Sequence, residues 1–110
     1  WAITLKGQDT FIGLIGFWRL VKEHHYAELG YTLSRDHWGC GYASEAIGTV
    51  LSCGFNTLGF HRVEAITRPE NAASIRALEK NGFVLEGHFK ENIFWNGEFQ
   101  DSLYFGRLAR

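Results

Sequence analysis

Along the first third of the chain, hydrophobic and polar residues alternate with the two-residue period of a half-buried strand. This predicts a strand over Trp1–Lys6, a turn at Gly7-Gln8-Asp9, and a long second strand over Thr10–Leu20. Val21–His25 reads as a polar connection. Tyr26–Leu33 reads as a third strand, with Tyr26, Glu28, Gly30 and Thr32 on one face. Gly30 sits mid-strand, where glycine weakens pairing and marks a bulge or a close backbone approach. The period then lengthens. Within Tyr42–Leu58 the residues Ile47, Val50, Leu51, Gly54 and Leu58 fall at helical spacing, and Gly59 supplies a stop. Gly48 and Gly54 each cost about 1 kcal/mol inside a helix, which points to tight packing against a neighbour. His61–Thr67 is a short apolar strand closed by Arg68-Pro69-Glu70. Asn71 then caps a helix over Ala72–Asn81, ended by Gly82. Phe83–Leu108 returns to sheet around the hairpin turn Asn96-Gly97. Three strands, helix, strand, helix and hairpin make an α+β fold of a mixed sheet with helices, in a single domain over 1–110.

Composition narrows the function more than the fold. Of 110 residues 45% are hydrophobic and 15% aromatic, enough for a full core and against a disordered chain. Eleven basic against twelve acidic residues leave a net charge of -1, whereas nucleic acid and anionic membranes favour a basic surplus. No apolar run approaches the ~18 residues of a spanning helix. Cys40 and Cys53 form neither a disulfide framework nor a paired-cysteine metal signature, and a cytoplasmic setting is the default expectation. His24, His25, His37, His61 and His88 show no metal-ligand spacing, so no metal is expected. Phe17, Trp18, Trp38, Phe94 and Trp95 read as core and pocket wall, since no basic residues interleave them as a nucleic-acid platform would need. The chain has no Met, even at position 1, and opens on Trp1-Ala2-Ile3, so a further N-terminal segment is expected.

The segment Arg35-Asp36-His37-Trp38-Gly39-Cys40-Gly41-Tyr42-Ala43-Ser44-Glu45-Ala46 joins a strand to a helix with two glycines one residue apart. Such a loop aims backbone N–H groups from the positive end of a helix, which suits phosphate or pyrophosphate. A nucleotide-triphosphate loop would need Gly-Lys-Ser/Thr, and Gly41-Tyr42-Ala43 refuses it. A dinucleotide fingerprint wants Gly or Ala where Ser44 stands, with an acidic residue that Glu64 only approximates. A turn that merely joins strand to helix is the third alternative.

Four blocks in order resemble the GNAT superfamily of acetyl-CoA-dependent N-acetyltransferases, and within it the branch of ribosomal-protein N-terminal and spermidine acetyltransferases. They are Ala27-Glu28-Leu29-Gly30-Tyr31, Trp38 through Ala46, Asn71-Ala72-Ala73-Ser74 through Lys80-Asn81-Gly82-Phe83, and Glu86-Gly87-His88 with Asn96-Gly97-Glu98 and Asp101. The chain departs from the pattern at Asp36, where Gln or Arg is usual. Nothing before Trp1 corresponds to the family's first strand and opening helices.

This resemblance implies a mostly antiparallel central sheet flanked by helices, lacking that N-terminal strand and its helices. It implies transfer of acetyl from acetyl-CoA to a primary amine, a protein N-terminus or a small molecule, by direct attack through a tetrahedral intermediate. The alternative is a non-catalytic acyl-CoA-binding or interaction domain. Homodimerisation is a further expectation from the resemblance. The implied contacts to acetyl-CoA are Leu33, Ser34, Trp38, Gly39, Cys40, Gly41, Tyr42, Ala43, Ser44 and Asn71. Gly30 would form the bulge where the central strand splays, and the Leu33 backbone N–H would meet the acetyl carbonyl, although Leu33 also reads as core. Glu28 is the candidate base for the amine, against a plain solvent-facing glutamate. Ser74, one turn after Asn71, is the candidate donor to the thiolate, against a surface or capping serine. Asn71 serves as cap, as cofactor contact, or both. Many members place a Tyr five residues before the phenylalanine of the Gly-Phe pair. Leu78 stands there and can only line the tunnel.

Overall fold

The computed structural model describes residues 1–5, 7 and 10–109. Six strands form one sheet: β1 (Ala2–Thr4), β2 (Phe11–Val21), β3 (Tyr26–Leu33), β4 (Arg62–Thr67), β5 (Val84–Trp95) and β6 (Glu98–Leu108). Among the described residues two helices, α1 (Tyr42–Asn56) and α2 (Ala72–Lys80), accompany the sheet, with short 3₁₀ turns at Lys22–His24 and Arg35–His37. The strand order is β1-β2-β3-β4-β6-β5. Only β3 and β4 run parallel, because the α1 crossover returns the chain to the same end of the sheet. The remaining pairs are antiparallel, as expected for the mixed sheet.

Both helices pack on one sheet face. Ile47, Val50 and Leu51 of α1 and Ala77 and Leu78 of α2 meet Ile15, Leu29, Val63, Ala65, Leu103 and Phe105. The two helical glycines are the close contacts their cost implies. A Cβ at Gly54 would lie 2.8 Å from the Phe17 ring, and one at Gly48 would lie 3.0 Å from Asn81 Oδ1. Asn71 caps α2 by accepting from the Ser74 N–H at 3.1 Å. Asn96 and Gly97 both adopt positive φ, which the two-residue hairpin turn requires.

Several expectations need correction. β1 is three residues long, and Lys6, Gln8 and Asp9 of the expected strand end and turn lie outside the described residues. Leu58 falls beyond α1 and is exposed, because the helix ends at Asn56. The bulge lies not in β3 but in β2, where the register skips Trp18 between Phe17 and Arg19. Gly30, paired with Gly16, is bare for a steric reason: a Cβ there would sit 1.3 Å from Nε1 of the bulged Trp18. Phe94 and Trp95 are not core. They lie 65% and 57% exposed at the turn end of the β5–β6 hairpin, and Trp95 stacks under the Arg68 guanidinium.

Candidate active site

The site is made where two strands part. β3 pairs with β4 from Tyr26↔Arg62 to Leu29↔Ala65 and no further, while β4 continues to Thr67 against β6. From Gly30 onward one edge of β3 therefore faces a gap. Ser34 donates its N–H to Ile12 O at 2.7 Å, and successive residues of an antiparallel ladder turn their polar groups to opposite edges. The Leu33 N–H and C=O accordingly point away from β2, toward the gap. The Leu33 carbonyl accepts from Trp38 Nε1 at 2.8 Å, which ties the loop before α1 to the strand end.

Two clefts open on this gap. The first, about 430 Å³, runs between the N-terminal end of α1 and α2, and is walled by Thr32, Leu33, Trp38, Gly39 and Gly41 through Ser44. The second, about 290 Å³, passes between β3 and β4 and is lined by Trp18, Glu28, Leu29, Gly30, Ala65, Thr67 and Leu78. Tyr31, Asn71 and Ser74 line both, so the clefts meet at these three side chains.

The first cleft has the chemistry of an anion cradle. Gly39 and Gly41 take φ of +77° and +83°, and a Cβ on either would meet nothing within 4 Å. The glycines are there for torsion, and their bareness leaves the backbone open to a ligand. Gly41 caps α1 without any side-chain bond, and the first helical bond runs from the Glu45 N–H to Gly41 O. The N–H groups of Tyr42, Ala43 and Ser44 thus have no partner in the helix and lie at its positive end. Opposite them, α2 presents Ala73, Arg76, Ala77 and Lys80, whose spacing forms one stripe of small and basic side chains. Asn81 locks the two walls together: its Nδ2 donates to Ser44 O at 3.0 Å, Ser44 Oγ at 3.1 Å and Ala77 O at 2.9 Å. His37 Nδ1 is buried at this wall with no partner among the described residues. These features suit a phosphate-bearing ligand.

The amino-acid sequence from Trp1 to Val84 matches the family model described as an acetyltransferase (GNAT) domain. The chain belongs to the GNAT acetyltransferase family. It is 40% identical over 93% of its length to an uncharacterized N-acetyltransferase of Bacillus subtilis, YoaA, covering 58% of that protein. It is 33% identical over 86% of its length to the spermidine N(1)-acetyltransferase of Vibrio cholerae, covering 54% of it. The ribosomal-protein-serine acetyltransferase of Escherichia coli is 31% identical over 92% of the chain, which covers 56% of that protein. A GNAT-family acetyltransferase structure from Bacillus anthracis superimposes with a TM-score of 0.90 at 35% identity, over 98% of this chain and 64% of that one. The chain thus spans less than two thirds of the length of these GNAT relatives.

Within this GNAT fold, Leu33, Trp38, Gly39, Gly41, Tyr42, Ala43, Ser44 and Asn71 line the first cleft. Ser34 and Cys40 are not on its wall: Ser34 opens the 3₁₀ turn, and the Cys40 thiol turns back to Trp38 O at 3.7 Å. Glu28 lies half-buried in the second cleft and Ser74 is buried at the junction. Leu78 does more than line a tunnel, being 1% exposed and part of the core. Sequence reading missed Tyr31, Arg76, Lys80 and Asn81. The stripe Ala73-Arg76-Ala77-Lys80 is visible as spacing. Tyr31 carried no such signal, because its face of β3 is the apolar one.

Proposed function

We propose that this chain transfers acetyl from acetyl-CoA to a primary amine. The observation that carries the reading is the meeting of an anion cradle and a carboxylate-bearing cleft through one gap in the sheet, at Tyr31, Asn71 and Ser74. The Tyr42–Ser44 N–H groups, with Arg76 and Lys80, hold the phosphates. Trp38 and Asn71 flank the arm that reaches the gap. The Leu33 N–H, released from the ladder, donates to the acetyl oxygen and holds it more strongly as negative charge develops there. On the far side Glu28 receives the acceptor. Transfer needs a neutral amine, and amines have ordinary pKa values of about 7.7–8.0 at an N-terminus and about 10.4 on lysine. The Glu28 carboxylate attracts the ammonium and takes its proton, directly or through water, and after attack the nitrogen gives its second proton to water. As the carbon–sulfur bond breaks, its electron pair passes to sulfur, and the Ser74 hydroxyl donates a hydrogen bond to it. A thiol with an ordinary pKa of about 8.5 gives a tolerable leaving group, which one hydrogen bond assists.

The GNAT relatives named for spermidine and for a ribosomal-protein serine make cationic amines and peptide N-termini the acceptors to try first. Two free cysteines fit a reducing cytoplasm. The test is thiol release from acetyl-CoA by the full-length protein across a panel of polyamines and Ser- or Ala-initiated peptides. Continuous amine-dependent release is expected, and Glu28→Gln should lower it and move its pH optimum upward. Stoichiometric uptake of acetyl-CoA with no amine-dependent release would sink the catalytic reading in favour of an acyl-CoA-binding domain.

A further inference from the structure

Tyr31 reaches across from β3 to α2 and places its phenolic oxygen 2.9 Å from Ser74 Oγ. A serine hydroxyl has one proton to donate and two lone pairs to offer. The Ser74 backbone N–H is already spent on the Asn71 cap, and Ser74 is only 8% exposed, so its hydroxyl has few directions left. With the phenol as donor, one lone pair of Ser74 is filled from the strand side. Its own O–H is then free to point elsewhere, and the space beside it is the junction of the two clefts.

We propose that Tyr31 is a positioning residue for acetyl transfer: by donating to Ser74 Oγ it aims the Ser74 O–H at the sulfur that leaves. The proposal rests on the Ser74 role given above and adds the side chain that orients it. Burial pushes the Tyr31 phenol above its ordinary value of 10.0. It therefore stays protonated, and stays a donor, throughout the neutral and mildly alkaline range. No proton leaves Tyr31 in this scheme. The electron pair of the broken carbon–sulfur bond rests on sulfur under the Ser74 hydrogen bond, and sulfur takes its proton afterwards from water. Without Tyr31 the Ser74 hydroxyl can turn about its Cα–Cβ and C–O bonds and spend its proton on a nearby backbone carbonyl.

The test is a double-mutant cycle of Tyr31→Phe and Ser74→Ala in the full-length protein, read by kcat, by KM for acetyl-CoA and by calorimetric CoA binding. Ser74→Ala should lower kcat on the order of 10²-fold, as losing one donor to a developing charge does. Tyr31→Phe should lower kcat about 3- to 10-fold, the effect of one neutral hydrogen bond, with CoA affinity held within about twofold. In the Ser74→Ala background Tyr31→Phe should have no further effect on kcat. The unchanged CoA affinity shows that each variant is folded, and a merely structural tyrosine would slow both backgrounds alike. If Ser74→Ala is slow but Tyr31→Phe acts equally in both backgrounds, or in neither, the positioning role is overturned and the Ser74 role stands. If Ser74→Ala keeps the parent kcat, both roles fall.

Discussion

Replacing Gly41 separates the two things a glycine can supply at the mouth of the first cleft. Its φ is +83°, and a Cβ there would touch nothing within 4 Å. The penalty for an L-residue is therefore one of torsion first, about 1–2 kcal/mol for the left-handed region and more for a β-branched side chain. Where the loop keeps its shape, that strain is present with and without ligand and lowers the melting temperature, by about 4–8 °C per kcal/mol in a domain near this size. Where the free loop relaxes, CoA must restore the shape on binding. The same 1–2 kcal/mol then weakens affinity about 5- to 30-fold. In Gly41→Val the branched side chain also fills the space that phosphate would enter, so a loss of CoA affinity of at least fivefold, about 1 kcal/mol, is expected. Gly41→Asn tolerates the left-handed conformation and should retain more of both properties. Calorimetry with CoA and thermal melting, run side by side, check this. A folded Gly41→Val variant that binds CoA as the parent does would refute the placement of phosphate at this loop. If Asn costs as much as Val, occupied space rather than torsion is what the glycine prevents.

Leu78→Ala should cost about 2–5 kcal/mol of stability, since the side chain is 1% exposed in the core, and denaturant unfolding at the parent midpoint would contradict its core role. The Asp101 carboxyl is held below its ordinary 3.8, first by the Glu91 N–H and then by His88, across the bulge of the β5–β6 hairpin. A lowered folded-state pKa adds stability above the ordinary value that is lost as pH falls through the folded one. Acid below about pH 4 should therefore loosen the hairpin, read by amide exchange near Glu91. In Asp101→Asn that acid step should flatten, and an unaltered step would assign it to other carboxylates such as Glu86, itself lowered by Arg62.

Local signals in this chain come from side chains that act on their own neighbours. The Tyr26–Leu33 strand, the Asn71 cap, the Gly82 stop and the Asn96-Gly97 turn are each written within a few residues and appear where the sequence places them. The Trp38–Ala46 loop is legible for the same reason: its glycines and the helix start are contiguous, so the cradle is a local object. Position in a motif points to Glu28 and Ser74, yet the sequence does not say that they stand on two clefts sharing one junction. That depends on β3 and β4 parting after Leu29 and Ala65, residues 36 apart in the chain and aligned only by the α1 crossover. The same distance hides the bulge at Trp18, because a skipped residue is defined by the partner strand and not by the strand that carries it. Tyr31 is the sharpest case. Alternation assigns it to the apolar face of β3, and only the packing of α2 across that face gives its hydroxyl a partner 43 residues away. Periodicity reports which face of an element is buried, while chemistry between elements waits on how those faces are brought together.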